Sequence, residues 1–223
     1  MPDRYSSFFA LLGSFPPAAG WLEFCARDPF NGRASRFRTS PEEVGSIHRW
    51  LTHRGSYLEA FFGIARRGGG GRTLVSLPAL WANVDQASLH VPREMPPPTA
   101  IVFTGRGHHL YWALRNAVEI SPESVRVIER TLRGLARWVQ GDPSTAEVGH
   151  LLRIPGTLNA KHQPPVSVAM ILLEPSRRAP FEAFLAFADP DEGSAECESR
   201  RSPDFQPSVR RQPEEGIGRA ITA

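Results

Sequence analysis

Two short apolar runs, Ala100 to Phe103 and His109 to Leu114, flank the tetrad Thr104-Gly105-Arg106-Gly107. No other feature constrains the fold of this chain as strongly. Glycines supply the positive φ that a tight reversal needs, so the two runs are expected to pair as an antiparallel hairpin. Ala79 to Asp85 reads as a further strand, separated from the hairpin by a proline-rich connection from Pro92 to Pro98. A sheet must bury one face against another element. Ser121-Pro122-Glu123 opens the helix that suits this role: a hydroxyl cap, a first-turn proline and an acid at the positive dipole end. It is expected to end near Gly141. Val125, Ile128, Leu132, Leu135 and Val139 recur along it at the spacing of a buried helical face.

The remaining pattern extends this alternation. Arg4 to Phe15 reads as an amphipathic helix stopped by Pro16-Pro17, and Trp21 to Ala26 as a strand. Thr39-Ser40-Pro41-Glu42-Glu43 starts a second helix running to about His53. Leu58 to Ala65, His150 to Ile154 and Val166 to Leu173 are expected strands, and Pro180 to Phe187 a short helix. Arg66 to Arg72, with four consecutive glycines, is expected to be a flexible basic loop. After Ala188 the chain is rich in Asp, Glu, Ser, Pro and Arg without apolar periodicity, the composition of a disordered tail. The expected organisation is an α+β domain over residues 1–187, with a mostly antiparallel sheet, followed by a tail over 188–223.

At 223 residues, 41% hydrophobic and 22% charged, the chain has the composition of a soluble globular domain. No apolar run approaches the roughly 18 residues of a membrane span, and no signal-peptide pattern opens the chain. Cys25 and Cys197 have no metal-type spacing, which points to a reducing, cytoplasmic setting. The net charge is +3, but the tail carries eight acids against five arginines, leaving +6 on residues 1–187. A basic body suits a polyanionic partner. Lys161 is the only lysine in an arginine-rich chain.

Three clusters carry chemistry. In Leu80-Trp81-Ala82-Asn83-Val84-Asp85, the i, i+2 spacing puts Asn83 and Asp85 on one side of a strand. They read either as paired oxygen ligands for Mg2+ or Mn2+ or as the start of a turn. In Thr104-Gly105-Arg106-Gly107-His108-His109-Leu110-Tyr111-Trp112, glycines allow backbone N–H groups near a phosphate, with Arg106 and His109 as further donors. The same residues also suit an ordinary hairpin. His108 and His109 are adjacent, so they face opposite sides and do not share a metal. The third cluster runs from Gly141-Asp142-Pro143 through Glu147 to Leu152-Arg153-Ile154-Pro155-Gly156-Thr157-Leu158-Asn159-Ala160-Lys161. It offers another carboxylate, then cations on either side of a rigid turn.

Together these clusters resemble the signature motifs of the archaeo-eukaryotic primase (AEP) superfamily, in its plasmid and phage replication branch. Those proteins carry an aspartate–x–aspartate after an apolar-Trp-Ala stretch. A Gly-rich turn follows, ending in His before Leu-Tyr-Trp. An Asp-Pro segment then leads to Leu-Arg-x-Pro-Gly-Thr-x-Asn-x-Lys. The resemblance covers about residues 20–175. It implies an RRM-like, mostly antiparallel sheet with flanking helices, and a DNA primase or primase–polymerase that joins nucleotides on a template. Asp85 and Asp142, with Asn83, would hold Mg2+ or Mn2+. Arg106, His109, Tyr111, Arg153, Thr157, Asn159 and Lys161 would contact the nucleotide. The implied partners are a single-stranded DNA template, a primer and nucleoside triphosphates. Arg66, Arg67 and Arg72 are the candidates for nucleic-acid contact, by their basic, glycine-rich setting.

Asn83 stands where the family pattern has its first aspartate. An engineered change, a natural variant rescued by Glu147, and a non-catalytic member that binds nucleotide or single-stranded DNA all fit that departure. A metal-dependent nuclease using Asp85, Asp142 and His109 is the remaining rival. The helix from Ser121 also carries Arg126, Arg130, Arg133 and Arg137 along one face, readable as a DNA-tracking ridge or as a solvated surface. The chain has no phosphate-binding G-x-x-x-x-G-K-[ST] loop, so a replicative helicase would be a separate partner or a further part of a longer protein.

Overall fold

The computed structural model describes residues 4–14, 20–28, 32–39, 59–69 and 73–190. Thr39 ends a strand, and the rest of the helix expected from it to His53 lies outside the described residues, as do Arg72 and the tail beyond Pro190 with Cys197. Described elements, in chain order, are α1 (Arg4–Gly13), β1 (Leu22–Arg27), β2 (Ala34–Thr39), β3 (Glu59–Gly63), β4 (Arg66–Gly68), β5 (Thr73–Val84), β6 (Ala100–Phe103), β7 (His108–Glu119), α2 (Pro122–Trp138), β8 (Leu151–Arg153), β9 (Leu158–Asn159), β10 (Val166–Ser167), β11 (Ala169–Leu173) and β12 (Arg178–Ala179). Short 3-10 turns cover Pro143–Thr145 and Phe181–Phe187. No described helix is long and apolar enough to cross a membrane.

The expected hairpin is present. β6 and β7 pair antiparallel with Phe103 opposite His108, and the turn takes its left-handed residue at Gly105 (φ +104). The larger sheet has the order β11-β6-β7-β5-β4, with β12 adding a parallel pairing to β7. β5 is longer than expected. It tolerates Pro78 because the β5–β7 register shifts between Leu77 and Ala79, so the missing N–H falls at an irregularity. The second sheet, β2-β1-β3-β8, is antiparallel throughout. Its edge strand β2 escapes sequence detection because Arg36 and Arg38 are exposed and its alternation is mostly polar.

α2 starts as expected. Ser121 caps it, with Oγ accepting from Ser124 N–H (3.2 Å) while Ser124 Oγ accepts from Ser121 N–H (2.8 Å). Its buried face is Ile128, Thr131, Leu132, Leu135 and Ala136, packed against β5. Burial of each large aliphatic contributes about 1.5–3 kcal/mol. Behind the helix the chain passes directly over Gly134 and remains attached through Asp189, two residues beyond the boundary read from composition. The Asp189 carbonyl oxygen accepts from Arg130 Nε and Nη2 (3.0 and 2.8 Å), and its carboxylate pairs with Arg137 (2.6 Å). Much of the arginine ridge is therefore an internal clamp rather than a free track.

An aromatic wedge joins the two sheets. Phe8 of α1 meets Phe62 of β3 edge-on at 5.8 Å and Tyr111 of β7 at 5.0 Å, while Phe9 meets Phe24 and Phe62 at 5.4 and 5.2 Å. Edge-to-face pairs add about 0.5–1.5 kcal/mol each beyond area burial. Tyr111 thereby becomes a core residue, 1% exposed.

Two sequence expectations need correction. Residues 166–173 do not form one strand: Val168 is buried and bonds Gly156 and Thr157, splitting the segment between β10 and β11. Arg66 is not in a basic loop. It begins β4, is fully buried, and donates from Nη2 to the Leu12 carbonyl oxygen in the last turn of α1 (2.6 Å). A cation there satisfies an orphan carbonyl and meets the negative helix end. Arg66 is therefore removed from the nucleic-acid contacts. Its neighbour Arg67 ion-pairs at 2.5 Å with Glu23, which also holds Arg36 at 2.9 Å.

Candidate functional site

The adjacent ends of β5 and β7 bring the first two clusters together. Asn83 lies directly opposite His109 in the antiparallel register, so both side chains occupy one face. Asp85 follows immediately beyond β5, exposed, and accepts a long contact from Asn83 Nδ2 (3.4 Å). Close packing makes this possible. A Cβ on Gly107 would collide with the Val84 carbonyl oxygen, so the turn can lie against the end of β5 only as glycine.

The third cluster arrives in two places. At the end of α2, Gly141 packs against the Asn83 carbonyl group, and Asp142 N–H donates to that same oxygen (2.7 Å). Asp142 is thus tied by backbone to Asn83, which lies 59 residues earlier in the chain. Its carboxylate caps the following turn, accepting from Ser144 N–H and Oγ–H, both at 2.8 Å. Farther on, Asn159 is buried. Its Nδ2 donates to the Thr104 carbonyl (2.7 Å), and its Oδ1 accepts from Lys161 N–H (3.1 Å). Asn159 is the pin between the glycine turn and the Pro155-Gly156 loop. Thr157 Oγ–H donates to the Ile154 carbonyl oxygen (2.7 Å) and holds that loop's shape. Lys161 and Arg106 are exposed.

Arg153 enters from the other sheet, where it pairs with Phe61 in register. It is 7% exposed, stacks over the Phe61 ring (5.0 Å), and donates from Nη2 to Glu59 Oε1 (3.0 Å). Its Nη1 is buried and has no hydrogen-bond partner among the described residues. An unmade charged donor in a low-dielectric setting is costly, so this nitrogen can take a further acceptor.

His109 is buried, and its Nδ1 is 3.1 Å from the Tyr111 hydroxyl. Burial first, then the positive fields of Arg153, His150 and His108, push its pKa from 6.5 down to about 3. The ring is therefore neutral near pH 7. In the tautomer where Tyr111 O–H donates to Nδ1, the proton sits on Nε2 and leaves one N–H donor to offer. His150 is the residue that sequence reading missed. It is half-buried, and its proton affinity is lowered by burial against opposing pulls from Glu147 and Asp142. It feels both the carboxylate side and the His109 side of the site. Glu59 was missed as well, although an acid inside the apolar run Leu58 to Ala65 was a readable signal.

Asn83, Asp142 and His109 thus converge at one sheet end, with Asp85 next to Asn83 and Arg153 within electrostatic reach of His109. Tyr111, Thr157 and Asn159 have internal partners and position their neighbours. Among the described residues, no three His, Cys, Asp or Glu side chains gather into a metal cluster. The oxygen donors here are two carboxylates and one amide.

This architecture is similar to that of solved primase and primase-polymerase catalytic domains. The chain is similar to the crystal structure of primase RepB' (TM-score 0.60, 16% identity), covering 82% of this chain and 61% of that one. It therefore spans under two thirds of that primase. It is also similar to the AEP domain of the cyanophage S-2L primase-polymerase (TM-score 0.56, 14% identity, 84% of this chain and 98% of that one). The catalytic domain of primase RepB' in complex with initiator DNA gives a TM-score of 0.57 at 14% identity, over 82% of this chain and 93% of that one. No protein-family model matches the sequence, and no match to a curated protein was found. At these identities the likeness establishes the shared fold.

Proposed function

We propose that this chain is a template-directed nucleotidyltransferase of the primase–polymerase kind, acting on single-stranded DNA with nucleoside triphosphates. The observation that carries this reading is the backbone bond from Asp142 N–H to the Asn83 carbonyl oxygen (2.7 Å), with His109 opposite Asn83. It draws three distant segments to one sheet end in a fold that primases use. The solved complex of primase RepB' with initiator DNA supports DNA as the partner.

Asp85 and Asp142, with the Asn83 amide oxygen, form an all-oxygen donor set of the kind that suits Mg2+ or Mn2+. Asp142 keeps lone pairs free beyond its two bonds to Ser144. Divalent ions bound there would stabilise charge on the attacking and leaving oxygens of the displacement. The chain's own groups supply the remainder. His109 Nε2–H and Arg153 Nη1–H are buried donors for phosphate oxygens, and burial strengthens such bonds. Tyr111 sets the His109 tautomer, and Glu59 holds the Arg153 guanidinium. Asn159 and Thr157 shape the loop that carries Lys161 to the rim. Lys161 and Arg106 offer exposed charge to the triphosphate.

Asn83 brings no charge, so the site neutralises less of two divalent ions than three carboxylates would. This favours one second reading, a binding member with little or no chemistry. Primer synthesis and extension in Mg2+ or Mn2+ separates the two, with the chain compared against Asn83→Asp. The expected result is a gain of at least about tenfold in the variant, or about 1.4 kcal/mol of transition-state stabilisation. Absence of product from both proteins, with single-stranded DNA and triphosphate still bound, transfers the assignment to the binding member.

A further inference from the structure

A groove of about 720 Å3 lies at the C-terminal end of α2, bounded by His90, Arg93, Glu94, Arg137, Trp138 and Gln140. Trp138 is 50% exposed, unusually open for an indole on a helix whose other face is core. It is not loose: Phe187 braces it edge-on at 5.6 Å and 86°. The groove is also contiguous with the candidate site. Gln140 adopts a left-handed backbone (φ +57), its carbonyl accepts from Gln86 Nε2 (3.3 Å), and Gly141-Asp142 follow at once. Gln86 in turn directly follows Asp85. The groove therefore meets the candidate site at Gln140, two residues before Asp142 and hydrogen-bonded to the residue after Asp85.

We infer that this groove takes the single-stranded template as it leaves the site, with Trp138 as the stacking platform for a base. The inference rests on the primase reading above for the direction of the strand, but not for its binding. A braced aromatic in a concave surface is matched by an unpaired base, which offers a free π-face that a duplex withholds. The rim carries Arg93, Arg137 and His90 against the single acid Glu94, which suits a phosphate backbone better than an acidic or purely apolar peptide. Arg137 is partly engaged with Asp189 (2.6 Å), so Arg93 is the cation left to track phosphate.

The test is fluorescence anisotropy of a labelled oligothymidylate with the full chain and its variants Trp138→Ala, Trp138→Phe and Arg93→Glu, each checked for an unchanged melting temperature. Trp138→Ala is expected to weaken binding at least about fivefold, and Trp138→Phe to restore most of it, as stacking requires. Arg93→Glu is expected to weaken binding and to reduce the dependence of log K on log salt by about one unit. Triphosphate binding measured calorimetrically should be unmoved by all three changes. Oligonucleotide affinity equal to that of the unaltered chain in both Trp138→Ala and Arg93→Glu overturns the inference. If Asn83→Asp fails to synthesise primers while Trp138→Ala still loses oligonucleotide, the groove stands and the enzymatic reading falls.

Discussion

Arg66 and Arg153 lie on different sheets, and each is almost wholly buried. Arg66, on β4, meets the carbonyl end of α1 through Leu12 and belongs to the architecture that clamps helix to sheet. Arg153, on β8, holds the Glu59 carboxylate through one nitrogen and lies near a histidine kept neutral partly by its charge. Two residues of one type, equally hidden from water, thus divide into a structural cation and a poised one. Exposure does not separate them; their partners do. Arg66 is tied to a helix end and stabilises the fold, whereas Arg153 is tied to a carboxylate within electrostatic reach of His109.

The contrast can be broken in three ways. The largest effect is expected at the structural arginine. Arg66→Ala removes a buried cation and strands the Leu12 carbonyl, and should cost about 3–5 kcal/mol in a urea titration. Triphosphate affinity, measured below the new unfolding midpoint, should hold.

Next in size is the acid limb of the stability curve. The folded pKa of His109, about 3, lies below the ordinary 6.5, so below pH 6.5 the unfolded chain binds a proton that the native one refuses. Stability from this group is full above pH 6.5 and declines as pH falls toward 3, by about 2 kcal/mol at about pH 5. His109→Gln should remove that decline. A variant as acid-sensitive as the unaltered chain would show that His109 is not the buried neutral base described.

The smallest effect is the sharpest discriminator. Arg153→Lys keeps a cation for Glu59 but loses the second, fixed N–H. Melting temperature should change little, while triphosphate affinity should fall about tenfold, or about 1.4 kcal/mol. If stability collapses and affinity survives, Arg153 is another Arg66.

Much of this organisation is legible in the sequence alone. The Thr104–Gly107 reversal, the Ser121 cap and the apolar stripe from Val125 to Val139 are local signals, decided within a few residues by backbone sterics and helix-end bonding. They predict the β6–β7 hairpin and α2 directly. The candidate site was legible through residue type: Asn83, Asp85, His109 and Asp142 stand out as polar groups bounding apolar runs. Legibility failed where partners are distant. Arg66 follows an apolar strand and precedes four glycines, so its neighbours describe a basic loop. Only the approach of α1 makes it a buried cap. The same holds for Arg67 with Glu23, for the arginine ridge with Asp189, and for Glu59 and His150 around Arg153 and His109.

The sequence by itself determined the β6–β7 hairpin and its reversal, the end of β5, the main helix and the inventory of carboxylates, imidazoles and cations. That information is written in short-range periodicity and φ preference. Tertiary structure alone decided which cations are used up inside the protein and which face a cleft. Charge pairing depends on distance through space and on exclusion of water, and neither quantity is encoded in the order of neighbouring residues.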